Sequence, residues 1–192
     1  MNAYKTKEEA RKYYASLRKN LETEYVKTAS LEICKKIMAD ENYKKARSVA
    51  AYMAIGNEID LSLLISDVIN NKKLFLPKVL DGENMEFYEI SDISELKVQS
   101  MGILEPYGDL KKASLNTDTL IIVPGIVFDK DGYRYGYGKG YYDRYFFKGG
   151  FGCKIGVCYD RLLCEKLPQT TEFDMTSDIV VTENEIHHVK DN

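Results

Sequence analysis

The chain has 192 residues, 44% of them hydrophobic and 30% charged, and a net charge of −3 from 27 basic and 30 acidic side chains. That is the make-up of an ordinary globular protein able to bury about 70% of its extended surface without staples, and it implies no strongly basic surface, so nucleic acid is not the expected partner. The four cysteines include no Cys-x-x-Cys pair and the two histidines, His187 and His188, are adjacent, so ligand spacing excludes a structural zinc site and reduced, buried thiols are expected.

The first residues are charged and carry no apolar signal-like core, and no stretch approaches the ~18 apolar residues of a membrane span; a cytoplasmic location is expected. Thr6, followed three residues later by Glu9, predicts a capping box and a helix to about residue 19. A second helix is predicted over 23–39, where Tyr25, Val26, Ala29, Ile33 and Ile37 recur at helical spacing. Residues 48–54 form a short apolar run, expected as a buried strand, and Asp60 is placed to cap a helix over 61–68. Strands are predicted over 74–79, which Pro77 demotes to an edge or short strand, and over 85–90, which alternates. Residues 91–117 hold turn formers and little periodicity, and read as loop with a short helix near 93–96. Further strands are expected over 119–123, 154–158 and 178–181, with a helix over 140–147 between them. Strands alternating with helices, several too apolar for one-sided burial, predict an α/β fold: a single three-layer αβα domain over 1–192 with a largely parallel central sheet.

The chemistry concentrates in residues 132–144. Gly136, Gly138 and Gly140 alternate, a pattern that lets backbone N–H groups approach an anion with no Cβ in the way, and a helix N-terminus behind them adds partial positive charge. Arg134 and Lys139 bring full charges, and Asp143 stands where it can hold a magnesium ion shared with phosphates. A phosphate loop of the Walker type does not fit, because Tyr133 holds its first glycine position and Gly140 replaces its hydroxyl; the Rossmann spacing is absent too. Without the charges, a glycine-rich surface hairpin covered by tyrosines would account for the segment equally well.

The run Val123-Pro124-Gly125, then Phe128-Asp129, then Arg134 through Arg144 in the pattern Arg-x-Gly-x-Gly-x-Gly-Tyr-Tyr-Asp-Arg resembles the signature of the 5-formyltetrahydrofolate cyclo-ligase family. Weaker blocks follow the same order: Lys7, Arg11 and Arg18, then residues 56–60, 76–79, 101–106 and 167–183. Tyr135 stands where leucine is common in the family, and Phe173 where histidine is common.

The resemblance implies ATP- and magnesium-dependent cyclisation of 5-formyltetrahydrofolate to 5,10-methenyltetrahydrofolate. It implies ATP contacts from Lys7 and Arg11, four apart on one helix face, and from Arg134, Tyr135, Gly136, Tyr137, Gly138, Lys139, Gly140, Tyr141 and Tyr142, with Arg134 and Lys139 catalytic. It implies Asp143 and Asp174 as magnesium ligands, and folate contacts from Met53, Glu58, Met101 and Tyr142, Glu58 holding the pterin end. The simpler accounts are a solvated helix face for Lys7 and Arg11, a turn residue for Asp174, the first turn of a helix for Glu58, core packing for the methionines, and a tyrosine packed beneath the loop for Tyr142. Partners are then the two substrates, without nucleic acid or membrane, for a monomer or weak homo-oligomer. The alternatives are a sugar-phosphate isomerase or CoA-transferase on a related sheet, which needs no nucleotide loop, and a non-catalytic binder, which retention of the charged residues disfavours.

Overall fold

The computed structural model describes residues 4–99, 102–147 and 149–189. Helix α1 (Lys7–Lys19) starts at the predicted capping box: Glu9 N–H donates to Thr6 Oγ1 at 3.2 Å and Thr6 N–H to Glu9 Oε2 at 3.1 Å. Helix α2 (Thr23–Ala39) buries Ala29, Ile33 and Ile37 as the periodicity predicts, and a short α3 (Glu41–Lys45), which the sequence did not reveal, turns the chain into strand β1 (Ser48–Ala50). Helix α4 (Ser62–Asn71) starts one residue later and ends three residues later than expected, and Asp60 Oδ1 accepts the Ser62 N–H at 2.9 Å.

Strands β2 (Lys73–Val79) and β3 (Met85–Ile90) pair antiparallel. Pro77 does not make β2 an edge: β2 lies between β1 and β3 in a seven-stranded sheet. The proline is tolerated because β1 pairs only with Lys73, Leu74 and Phe75, so Pro77 lies past the end of β1, opposite Phe87. The predicted loop over 91–117 is more ordered than its turn formers suggest. A 3₁₀ turn (Ile93–Glu95) leads into an antiparallel pair, β4 (Leu96–Val98) with β5 (Leu104–Pro106). Three-residue strands are too short to leave a period-2 signal.

The main sheet is completed by β6 (Thr119–Val123), β9 (Lys154–Val157), β11 (Ile179–Val181) and β12 (Ile186–His188), in the order β12-β11-β9-β6-β1-β2-β3. β11, β9, β6, β1 and β2 run parallel, and only β12 and β3 at the two edges are antiparallel. The expected α/β architecture with a largely parallel sheet is therefore present. Its interior strands are buried along their whole length in β1, β6 and β11, as parallel strands covered on both faces must be.

A second sheet orders β10-β7-β8, from β7 (Val127–Asp129), β8 (Arg134–Tyr135) and β10 (Leu163–Cys164). It is seated on the main sheet by Phe128, whose ring lies where a Cβ on Gly156 of β9 would stand only 2.3 Å away. Asp129 closes the β7–β8 turn: it is fully buried and accepts N–H bonds from Asp131, Tyr133 and Leu167 at 3.1, 2.9 and 2.9 Å. That turn delivers Arg134 to the glycine segment, and α5 (Tyr141–Phe146) follows. All four cysteines are free, and no helix among the described residues is long and apolar enough to cross a membrane.

Candidate active site

In an open parallel sheet the carboxyl ends of the strands are the natural ligand crevice, because the connections splay there. The segments leaving β1, β6 and β9 meet at that end. Glu58, on the connection after β1, is held there by Tyr159, just past β9, whose hydroxyl donates to the Glu58 carbonyl at 3.2 Å. Arg18, near the end of α1, donates to the carbonyl of Gly125, just past β6, at 3.1 Å. Asn57 fastens this corner by donating to the carbonyls of Arg18, Lys19 and Leu21 at the end of α1, at 3.1, 3.3 and 3.3 Å.

Glu58 is not in a helix; it closes a turn, its N–H bonded to the Ile55 carbonyl at 3.1 Å and its own Oε2 accepting the Ile55 N–H at 2.9 Å. The side chain is 5% exposed, with the Arg18 guanidinium 3.7 Å away. Burial raises its pKa above the ordinary glutamate value; the Ile55 amide, Arg18 and Tyr137 pull the other way. Sequence reasoning gave Arg18 a place in the pattern but no role, and nothing in the sequence links it to Glu58, since the pair is 40 positions apart.

The glycine segment runs beside α1. Gly138 and Gly140 have φ of +87° and +68°, conformations that a residue with a Cβ adopts only under strain. Arg11 lies along the segment: its Nε donates to the Gly136 carbonyl at 3.1 Å, and its guanidinium carbon is 3.7 Å from the point where a Gly138 Cβ would sit. Lys7 and Arg11 share a face as predicted, their charges 5.2 and 5.5 Å from the centre of the Tyr135 ring. Tyr135 itself is fully buried, and forms the floor beneath these two cations. Lys139 is exposed and makes no hydrogen bond or ion pair among the described residues.

Arg134 and Lys139 do not stand together as free charges. Arg134 is 6% exposed, donates to Asp143 Oδ1 at 3.2 Å, and lies with its guanidinium 5.5 Å from the centre of the Tyr142 ring. Its Nε and the Tyr135 hydroxyl are buried with no hydrogen-bond partner among the described residues, and unsatisfied groups of this kind gather where a polar ligand completes the network. The helix behind the glycines is six residues long, so its dipole adds less than the sequence suggested; side-chain cations and loop amides supply the positive potential.

Asp143 Oδ1 also accepts the Met175 N–H at 3.2 Å, while Oδ2 accepts no bond among the described residues. Asp174 is more occupied. One oxygen pairs with the Lys7 ammonium and the other accepts the Thr171 N–H and hydroxyl at 2.9 and 3.0 Å. Those bonds outweigh a modest burial and hold its pKa below the ordinary aspartate value. The described residues contain no group of three or more His, Cys, Asp or Glu side chains that could hold a metal alone. A magnesium ion bound through phosphates needs only one or two carboxylates, so the free Asp143 oxygen fits that role better than Asp174.

Tyr142 is half-buried against Phe87 and Phe146, with ring centres 6.3 and 6.1 Å away, and Tyr141 donates to the Asp81 carbonyl at 3.3 Å. Met53 is half-buried against the core; Met101 lies outside the described residues. The two ends of the site are joined by Tyr137, which sequence reasoning placed only in the nucleotide loop: it accepts from Arg18 Nη2 and donates to Glu58 Oε1 at 2.9 Å.

Known proteins are similar to this chain along most of its length. A probable 5-formyltetrahydrofolate cyclo-ligase of Schizosaccharomyces pombe is 30% identical over 84% of this chain and 87% of its own length. The 5-formyltetrahydrofolate cyclo-ligase of Mus musculus is 27% identical over 81% and 82%. The solved structure of Aquifex aeolicus 5,10-methenyltetrahydrofolate synthetase superposes with a TM-score of 0.83 at 36% identity, covering 97% of this chain and 94% of that one. Residues 3–183 match the profile of one family, and the chain belongs to the 5-formyltetrahydrofolate cyclo-ligase family.

Proposed function

We propose that this chain uses ATP and magnesium to cyclise 5-formyltetrahydrofolate to 5,10-methenyltetrahydrofolate, through a substrate phosphorylated on its formyl oxygen. The chemistry requires activation, because a formamide oxygen is a poor leaving group. In the first step that oxygen attacks the γ-phosphorus and ADP departs. In the second, the folate N10 attacks the formyl carbon and loses its proton, the new C–N bond closes the ring, and the C–O bond breaks to release phosphate. The protein's part is alignment and neutralisation of a phosphoryl group in transit.

The observation that carries this reading is the continuity of the site: Lys7, Arg11 and the glycine segment at one end are tied through Tyr137 to a buried glutamate at the other. Lys7 and Arg11 bind the triphosphate, while the 136–140 amides, Tyr141 and Tyr142 line it. Arg134 and Lys139 hold the moving phosphoryl group. Asp143, seconded by Asp174 once Lys7 turns to phosphate, would hold magnesium, which neutralises phosphate charge when bound. Glu58 accepts N–H bonds from the pterin, with Met53, Met101 and Tyr142 around the folate.

The direct test mixes purified protein, magnesium, ATP and 5-formyltetrahydrofolate and follows the ultraviolet absorbance of the methenyl product. Product that forms without nucleotide, or no product at all, refutes the proposal. An isomerase or transferase activity on this fold would show no dependence on ATP.

A further inference from the structure

Glu58 is too well covered to meet a ligand in the conformation seen. Its side chain is 5% exposed and is held by three groups: the Ile55 N–H on Oε2 at 2.9 Å, the Tyr137 hydroxyl on Oε1 at 2.9 Å, and the Arg18 guanidinium at 3.7 Å. A carboxylate that is to accept N–H bonds from a substrate has to be uncovered first, so at least one of these groups leaves.

Two of them are fixed. The Ile55 amide belongs to the same tight turn as Glu58, closed by the reciprocal backbone bond at 3.1 Å. Arg18 is 7% exposed and anchored to the Gly125 carbonyl at 3.1 Å. Tyr137 differs from both. It is 59% exposed, its ring lies on the Arg18 guanidinium with the charge 5.4 Å from the ring centre, and it sits between Gly136 and Gly138, the latter at φ +87°. A side chain on a glycine-flanked segment can swing at little backbone cost. Burial of the hydroxyl and the charge of Glu58 push the tyrosine pKa up to about 12, so at neutral pH it keeps its proton and donates.

We infer that Tyr137 is a placeholder for the folate: its hydroxyl occupies the Glu58 oxygen that a pterin N–H takes, and substrate entry turns it out. Tyr137 is thereby a specificity-determining residue. A ligand that brings a well-placed N–H donor replaces the phenol bond to Glu58, with only the Arg18 Nη2 bond to the hydroxyl given up, while a ligand without a donor loses both and meets a closed carboxylate. Because the displaced side chain belongs to the 136–140 segment, filling the folate end also moves the segment that faces the nucleotide.

The inference rests on the reading of Glu58 as the folate carboxylate, and the test separates the two. Binding of 5-formyltetrahydrofolate to the nucleotide-free protein is measured by calorimetry for the wild type and for Tyr137→Phe, Tyr137→Ala and Glu58→Ala. A competing bond to a charged group is lost in Tyr137→Phe, so the folate binds about tenfold tighter than to the wild type, and Tyr137→Ala shifts in the same direction. A side chain that merely supported the site, or touched the folate, would give the opposite sign. Unchanged or weaker binding in Tyr137→Phe, with the wild type binding and Glu58→Ala not, overturns the placeholder. A wild type that does not bind, or a Glu58→Ala variant that binds normally, overturns the assignment of Glu58 instead.

Discussion

Replacing Lys139 by alanine separates catalysis from stability better than any other change in the loop. The side chain is exposed and makes no hydrogen bond or ion pair among the described residues, so its removal should alter folding free energy by less than about 0.5 kcal/mol. Its proposed work lies in the reaction. A unit charge about 4 Å from another, at an effective dielectric of about 20, interacts by about 4 kcal/mol. Only the part gained between bound ATP and the transition state affects kcat. If half to all of it is so gained, the loss is about 2–4 kcal/mol, a fall in kcat of about 30-fold to 1000-fold. Turnover is followed by methenyl absorbance at saturating ATP and folate, and unfolding by thermal melting monitored with circular dichroism. The expected result is a nearly unchanged Tm, a folate KM within about threefold of wild type, and the stated fall in kcat. A kcat within about threefold of wild type would refute the assignment and leave the transferring phosphoryl group to Arg134, Arg11 and the loop amides.

Glu58→Gln should remove a pH dependence as well as activity. The raised pKa means that the ionised, accepting form is lost sooner than for an ordinary glutamate, so the folate KM of the wild type should climb as pH falls through that raised value. Stability moves the other way. The buried site favours the neutral carboxyl, whose contribution is full below the ordinary glutamate value and is lost as pH rises through the raised one. A wild-type folate KM that stays flat down to the ordinary glutamate range would contradict this. Thr6→Ala breaks the capping box at the start of α1 and should cost about 1 kcal/mol, or about 2–4 °C in Tm, with a higher ATP KM because Lys7 is the next residue; an unchanged Tm refutes the capping contribution. Gly156→Ala places a methyl group 2.3 Å from the Phe128 ring and should destabilise by about 1–3 kcal/mol, read as a lower urea midpoint, because the second sheet is pushed off the first. A midpoint equal to wild type would show that Phe128 shifts freely.

The longer helices and the apolar strands of the main sheet were legible because their signals are local, whereas the short α3, β7 and β8 were not. Thr6 and Glu9 mark the start of α1, the apolar spacing of α2 marks its buried face, and the Leu120–Val123 run of β6 announces a covered parallel strand. The glycine segment was legible too, since the alternation of Gly136, Gly138 and Gly140 among charged residues depends only on backbone freedom and composition. The sequence by itself therefore determined the α/β class, the glycine segment as the candidate region for the chemistry, and the residue types available to it. The tertiary structure alone decided which charges are free and which are spent. Arg134 lies buried on Asp143, Lys7 is paired with Asp174, and Lys139 stands exposed, although all three look alike in a string of letters. It also decided that Pro77 lies in an interior strand, and that Arg18, Glu58 and Tyr137 meet. The physical reason is common to all of these: pairing, burial and register depend on which segments fold against each other, from 9 positions apart for Arg134 and Asp143 to 167 for Lys7 and Asp174, and only the folded sheet brings those segments together.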